Sequence, residues 1–269
     1  MYRKVRNGAI KLKENHTFVI CAYGESEFLE ACIDSLKNQT IKSKLILYTS
    51  TPSDSISELC QNNDIPVFTA IGGSIGKDWN NALSFVDTDY ATIAHQDDVY
   101  LPTYAEEIMN LFNNNKDGLI AYSAYREWKD GDVIPLNTNL KIKNIKLRTM
   151  SLFKKSIFWR KRILAFRSAI CCPAVSYNLK LLKNFRFNEE MRVSLDWLAW
   201  HDISEYRGKF LYTSNELMWH RIHEESETSN TISDNTRTKE DIIMFNKFWP
   251  KPIANFLMRH YIKSQETNQ

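Results

Sequence analysis

Residues 17–124 read as an α/β fold, a mostly parallel central sheet covered by helices on both faces, with a helical extension at the carboxyl end of the chain. Three observations carry that reading. Short apolar runs, several rich in β-branched residues, recur along the first half of the sequence. Segments with a helical apolar period separate them. The fourth run ends in two adjacent carboxylates, Asp97 and Asp98, at the edge where open α/β sheets place their ligands.

Thr17–Ala22 is the first predicted strand, and Leu29, Cys32, Ile33 and Leu36 follow at i, i+3, i+4 and i+7, one face of a helix. Lys44–Thr49 is the second strand, and Ile56, Leu59 and Cys60 mark the next helix. Pro66–Ile71 is the third, followed by a helical stripe at Trp79, Leu83 and Val86. Tyr90–His95 is the fourth, with Pro102 and an amphipathic segment through Phe112 after the acid pair, and Gly118–Ala124 is the fifth. Strands joined through helices of this length imply right-handed crossovers and a parallel sheet. The tail adds a helix through Ile242, Ile243, Phe245 and Phe248 and ends polar.

A chain of 269 residues can bury one large core, or one domain with an appendage. Its 43% hydrophobic and 25% charged residues argue against disorder. Met1 to Asn15 is basic but lacks the apolar centre of a signal peptide. No apolar run approaches the roughly 20 residues needed to span a bilayer. A cytoplasmic protein is the expectation. The five cysteines agree, since Cys21, Cys32 and Cys60 sit in apolar segments and Cys171-Cys172-Pro173 lacks C-x-x-C spacing, so all five read as structural or incidental.

Two nucleotide signatures are excluded. Gly72 to Asp78 superficially resembles a P-loop, but its leading glycine is one residue too close and Asp78 stands where a hydroxyl must bind Mg²⁺. After the first strand, Ala22-Tyr23-Gly24-Glu25 offers one glycine where the dinucleotide fingerprint needs three. The acid pair itself fits two readings. Two carboxylates suit a hard divalent cation that keeps positions for phosphate oxygens, and Asp98 equally suits an N-cap for the helix that follows.

Five elements, in order, carry a resemblance. Phe18 to Thr40 resembles the opening of family 2 glycosyltransferases of the GT-A fold, a strand and a helix ending in Leu-x-x-Gln. Ile75 to Leu83 looks like the family's Gly-x-x-x-Asn segment, and His95-Gln-Asp97-Asp98 is similar to its metal-binding Asp-x-Asp-Asp. Ser194-Leu-Asp196-Trp197 resembles the Glu-Asp-Trp element that supplies the base. Trp219-His-Arg221-Ile-His223, continuing to Ser226 and Thr228, matches the closing Tyr-Arg-x-His-x-x-Ser-x-Thr.

The resemblance implies transfer of a sugar from a nucleotide-diphospho-sugar, most readily a UDP-sugar, to an acceptor hydroxyl with inversion. It implies a divalent cation, Mg²⁺ or Mn²⁺, on Asp97 and His223, and Asp196 as catalytic base. Donor contacts carry over to Ala22, Tyr23, Glu25, Ser50, Lys77, Asn80, Asp98 and Arg221. The structural alternatives are a helix cap for Asp196 and surface networks for Arg221 and His223. The sequence also departs from the family. Thr49-Ser50-Thr51 replaces the Asp-Asp that reads uracil, His95 stands where an acid is usual, Gly24 replaces an asparagine and Leu195 a glutamate.

Lys141 to Arg167 differs in composition, with ten basic and no acidic residues among many aliphatic and aromatic ones. The chain's net +3 less these ten leaves −7 elsewhere, so the basic character is local. This pattern fits an amphipathic segment on an anionic membrane surface, at the inner face, facing a lipid-linked acceptor. It fits a solvated, partly core-packed connection as well, and no nucleic-acid motif accompanies it. The expected division is a nucleotide-sugar half (1–125), the basic insert (126–170), an acceptor and base half (171–235) and a helical tail (236–269). Three function classes follow: a metal-dependent transferase building surface polysaccharide or glycolipid, a catalytically silent sugar-binding or scaffold subunit, and a sugar nucleotidyltransferase.

Overall fold

The computed structural model describes residues 15–223 and 236–266. Its frame is one nine-stranded sheet. Strands β1 (His16–Ala22), β2 (Lys44–Thr49), β3 (Val67–Thr69) and β4 (Tyr90–His95) lie in the order β3-β2-β1-β4, all parallel. The chain moves outward from β1 through β2 to β3 and then returns to β1's other side. That reversal opens a crevice at the carboxyl ends of β1 and β4.

Beyond β4 the sheet is mixed. Strand β8 (Val175–Asn178) is antiparallel to both β4 and β6 (Gly118–Lys129). Strand β9 (Lys209–Arg221) runs parallel to β6 through several register shifts, and β5 (Val99–Tyr100) closes the edge antiparallel to β9. A short β7 (Asp132–Val133) pairs with the end of β6. The expected third strand shortens because only three of its residues pair with β2. The fifth lengthens to Lys129 because β9 supplies a partner that no local pattern reveals.

Alternation along β1 sends its side chains into two cores. Phe18 and Ile20 pack on one face with α1 (Leu29–Lys37), α2 (Asp54–Asn62) and α4 (Tyr104–Asn114). Val19 points to the other, with α3 (Ile75–Ser84), α7 (Leu195–Ile203) and α8 (Thr236–Phe248). Helix α9 (Lys251–Glu266) adds Ala254 and Met258 to that second core. Ser53 and Ser74 cap α2 and α3 by accepting N–H bonds from Ile56 and Lys77. Asp98 caps nothing, because β5 intervenes before α4.

The basic segment folds into two helices, α5 (Thr138–Leu152) and α6 (Ile157–Leu164). Leu140, Leu147, Met150 and Leu164 are core residues, whereas Ile145, Leu152 and Phe158 are exposed, so apolar groups point both ways. Arg160 is fully buried and donates to the carbonyls of Ser204, Tyr206 and Gly208. The segment therefore anchors the fold as well as presenting charge. Among the described residues, no helix is long and apolar enough to cross a membrane.

Candidate active site

At the carboxyl edge β4 ends in His95, and the chain turns through Gln96, Asp97 and Asp98 into β5. The long β9 runs beside that turn and brings His220 and Arg221 to it. Asp98 has no solvent exposure. Its Oδ1 accepts from His220 Nδ1 at 2.9 Å and from the Arg221 N–H at 3.0 Å, while its Oδ2 has no hydrogen-bond partner among the described residues. Arg221 Nε donates to the Asp97 carbonyl at 2.9 Å, and the guanidinium lies 4.1 Å and 4.0 Å from the ring centroids of Phe28 and Trp128. His223 Nε2 stands 2.9 Å from Asp97 Oδ2.

The His95 ring stacks on Trp79, with its Nε2 buried and, among the described residues, without a hydrogen-bond partner. Ligand atoms of His95, Asp97 and Asp98 all lie within 4.8 Å of one another. Buried polar atoms left unpaired are costly, and this cluster holds two of them. An imidazole and two carboxylates form a donor set that fits a divalent cation. Burial holds the His95 pKa below its ordinary value, outweighing the pull of Asp98 and Asp97. Burial also disfavours a charged His220, but the Asp98 carboxylate prevails and lifts its pKa to about 8. At Asp97 burial acts upward, yet the facing His95, His223 and His220 keep the carboxyl below its ordinary range.

Around the end of β1, Ala22 is buried in register with Thr49, and Tyr23 is 71% exposed. Tyr23 and Gln96 exchange two hydrogen bonds, at 3.2 Å and 3.0 Å, which join the ends of β1 and β4. Gly24 adopts φ +65°, a conformation that suits glycine, and donates its N–H to Thr51 Oγ1. Glu25 is exposed. Ser50 and Tyr48 both donate to Asp78, each at 3.0 Å. A carboxylate thus stands in space beside the 49–51 segment that has none in sequence. Lys77 lies in the first turn of α3, and the Asn80 amide bonds Phe187 and Glu189, tying α3 to that loop. Gly76 completes the contact, since a Cβ there would collide with the Asn188 carbonyl.

Asp196 occupies the first turn of α7, where it accepts the Trp197 N–H at 2.6 Å. Burial raises its pKa to about 6, with the Trp197 bond, Arg167, Lys143 and Arg237 acting against it. The segment leading into α7 is held from elsewhere. Glu240 of α8 accepts the N–H groups of Arg192, Val193 and Ser194 at 2.7 to 2.8 Å, and Asp241 accepts the Ser194 hydroxyl. Tyr125 and Cys171 are within electrostatic reach of both Asp98 and Asp196, so the two acids flank one region.

The sequence reading leaves His220, Gln96, Asp78, Glu240 and Asp241 without a role. Their partners lie dozens of residues away, and although Gln96, His220 and Asp78 stand in or beside recognised motifs, no spacing shows what they meet. Ser226 and Thr228 of the closing motif lie outside the described residues.

Comparison with known proteins places this geometry in context. The sequence model of the family described as Glycosyl transferase family 2 matches residues 17–173. A search of curated proteins gives no match. Among solved structures, S. aureus TarS 1–349 in complex with UDP-GlcNAc is 14% identical, with a TM-score of 0.64 over 92% of this chain and 71% of that one. The chain spans only 43% of a longer TarS structure. The mannosyltransferase PcManGT from Pyrobaculum calidifontis, in complex with GDP-Man and Mn²⁺, gives a TM-score of 0.66 at 11% identity over 92% and 69%. Glucosyl-3-phosphoglycerate synthase from Mycobacterium tuberculosis, with Mn²⁺ and UDP-glucose, gives 0.60 at 12% over 86% and 78%.

Proposed function

The chain belongs to glycosyl transferase family 2, and from that membership we propose that it moves a sugar from a nucleoside-diphosphate donor to an acceptor hydroxyl, with inversion at the anomeric carbon. The observation that carries this reading is the cluster of His95, Asp97 and Asp98, whose ligand atoms lie within 4.8 Å of one another and in which His95 Nε2 and Asp98 Oδ2 have no hydrogen-bond partner among the described residues. Asp97, Asp98 and His95 would hold a divalent cation, with His223 paired to Asp97 Oδ2 beside them. A bound cation would stabilise charge on the departing diphosphate. The imidazole in the donor set favours a transition ion such as Mn²⁺ over Mg²⁺.

The donor's base lies, in this reading, over the ends of β1 and β2. Tyr23 offers a stacking face, and Ser50 with Asp78 offers an acceptor for an imide N–H, which favours uridine. Arg221 steadies the Asp97 turn through the main chain and its ring sandwich. Across the site Asp196 takes the acceptor's proton as the hydroxyl attacks. A carboxyl near 6 remains ionised at neutral pH and is more basic than an ordinary aspartate. The acceptor is a saccharide hydroxyl, on a growing surface polysaccharide or a lipid-linked saccharide.

A panel of UDP- and GDP-sugars, assayed for thermal stabilisation and donor hydrolysis with Mn²⁺, Mg²⁺ or chelator, tests this. The expected result is stabilisation and slow hydrolysis of a UDP-sugar with Mn²⁺, both abolished by chelator. Silence across the whole panel would refute the reading and leave a sugar-binding or scaffold subunit.

A further inference from the structure

We propose that the outer surface of α5 and α6, continued by Trp249 at the corner between α8 and α9, docks on an anionic lipid bilayer. The fold sorts the ten cations of residues 141–167 into two groups. Arg160 is buried on carbonyls, Lys161 pairs with Glu205 at 2.6 Å, Lys146 donates to the Phe166 carbonyl, Lys143 to the Tyr125 hydroxyl, and Arg167 lies against Asp241. Lys141, Arg148, Lys154, Lys155 and Arg162 are exposed and, among the described residues, make no salt bridge. The fold has spent half of the charge internally and left half facing outward.

Between these outward cations runs a connected aromatic surface. Phe153 stacks on Trp159 at 4.9 Å, Trp159 meets Phe158 at 5.5 Å, and the Arg162 guanidinium bridges from Phe158 to Trp249 at 5.4 Å and 5.2 Å. Phe166 then meets Trp249 at 5.3 Å. Phe158 is 60% exposed and the neighbouring Leu152 78%. A shallow cleft of about 440 Å³ on the adjoining side is lined by Ile145, Arg148, Leu152 and Tyr212. Contiguous apolar surface of this kind marks an interaction site.

Charge decides the occupant. A second copy meeting this face with the same face would set cation against cation, because residues 141–167 contain no carboxylate. A bilayer with anionic headgroups satisfies both features, drawing the cations electrostatically while aromatic rings settle at headgroup level. Helix α5 links the surface to the reaction site. From Lys143, which touches Tyr125 near Asp98 and Asp196, to Leu152 is nine residues, or roughly 14 Å of helix. A lipid-linked acceptor held at this surface would be within reach of Asp196.

The test is sedimentation of the full chain with vesicles of neutral phosphatidylcholine, or of the same lipid with about one quarter phosphatidylglycerol. Binding is expected only to the anionic vesicles and should be reversed by high salt. Each cation contributes roughly fivefold, so Lys154→Glu with Lys155→Glu should weaken binding more than tenfold. Phe158→Ser should weaken binding without changing its salt dependence, and Lys37→Glu with Lys42→Glu, exposed at the connection between α1 and β2, should leave it unchanged. Equal sedimentation with both lipids, or an equal loss in the control pair, would overturn the proposal. So would a dimer in ultracentrifugation that Phe158→Ser dissolves, or binding to an RNA homopolymer with none to vesicles.

Discussion

The acids on the two sides of the site are held by opposite means. Asp97 and Asp98 sit at the tip of a central strand, with His220 and Arg221 from the neighbouring β9 fixing Asp98 and His223 meeting Asp97. Asp196 sits on α7, whose amino end is held by Glu240 and Asp241 of α8, outside the sheet altogether. The first arrangement is built into the sheet and moves only with it. The second depends on a helix far along the chain, so Asp196, the proposed base, can be disturbed while the proposed cation side stays intact.

The largest effect should come from Asp97→Asn. Loss of a ligand carboxylate should abolish Mn²⁺-dependent donor binding, read by calorimetry, and transfer with it. Asp196→Asn should retain donor binding and reduce transfer by about a thousandfold, the scale of a lost general base. If both variants lost donor binding together, the division between the two sides would collapse.

Glu240→Ala separates the sides further. It strands three N–H groups, and denaturant unfolding should register a loss of about 3 kcal/mol. Turnover should fall while donor affinity remains, whereas an equal fall in both would show that α8 supports the whole site. A pH series sharpens the contrast more gently. Because the raised Asp196 carboxyl must lose its proton to act, transfer should rise with pH through about 6 and then level off, with no matching step in donor affinity. The smallest expected change is with Arg167→Gln. Arg167 helps keep Asp196 ionised, so removing it should move that midpoint upward.

Sequence patterns reveal the strand that carries Asp97 and Asp98 better than the surroundings of Asp196. Strands β2 and β4 end where their Ile- and Leu-rich or Ala- and Ile-rich runs end, and β1 begins one residue early with His16. Strands β5 and β8 are two and four residues long, too short for a period to register, and they exist only because β9, β4 and β6 lie beside them. Asp98 pairs with His220 across 122 residues, which no spacing rule encodes. Arg160 is the plainest case. Within a basic run it reads as solvated, and only the carbonyls around 204–208, assembled by folding, make a buried place for it. The carboxylate missing from Thr49-Ser50-Thr51 reappears through Asp78, a residue that looked like a failed P-loop position.

The slot occupied by Arg221 imposes a rule of its own. Two rings with centroids 4.1 Å and 4.0 Å from the guanidinium carbon leave room for a flat cation whose edge still reaches the Asp97 carbonyl. A lysine would carry the same charge on a tetrahedral head, unable to lie flush against both faces. Planarity, more than sign, is therefore what the chain must preserve at this position.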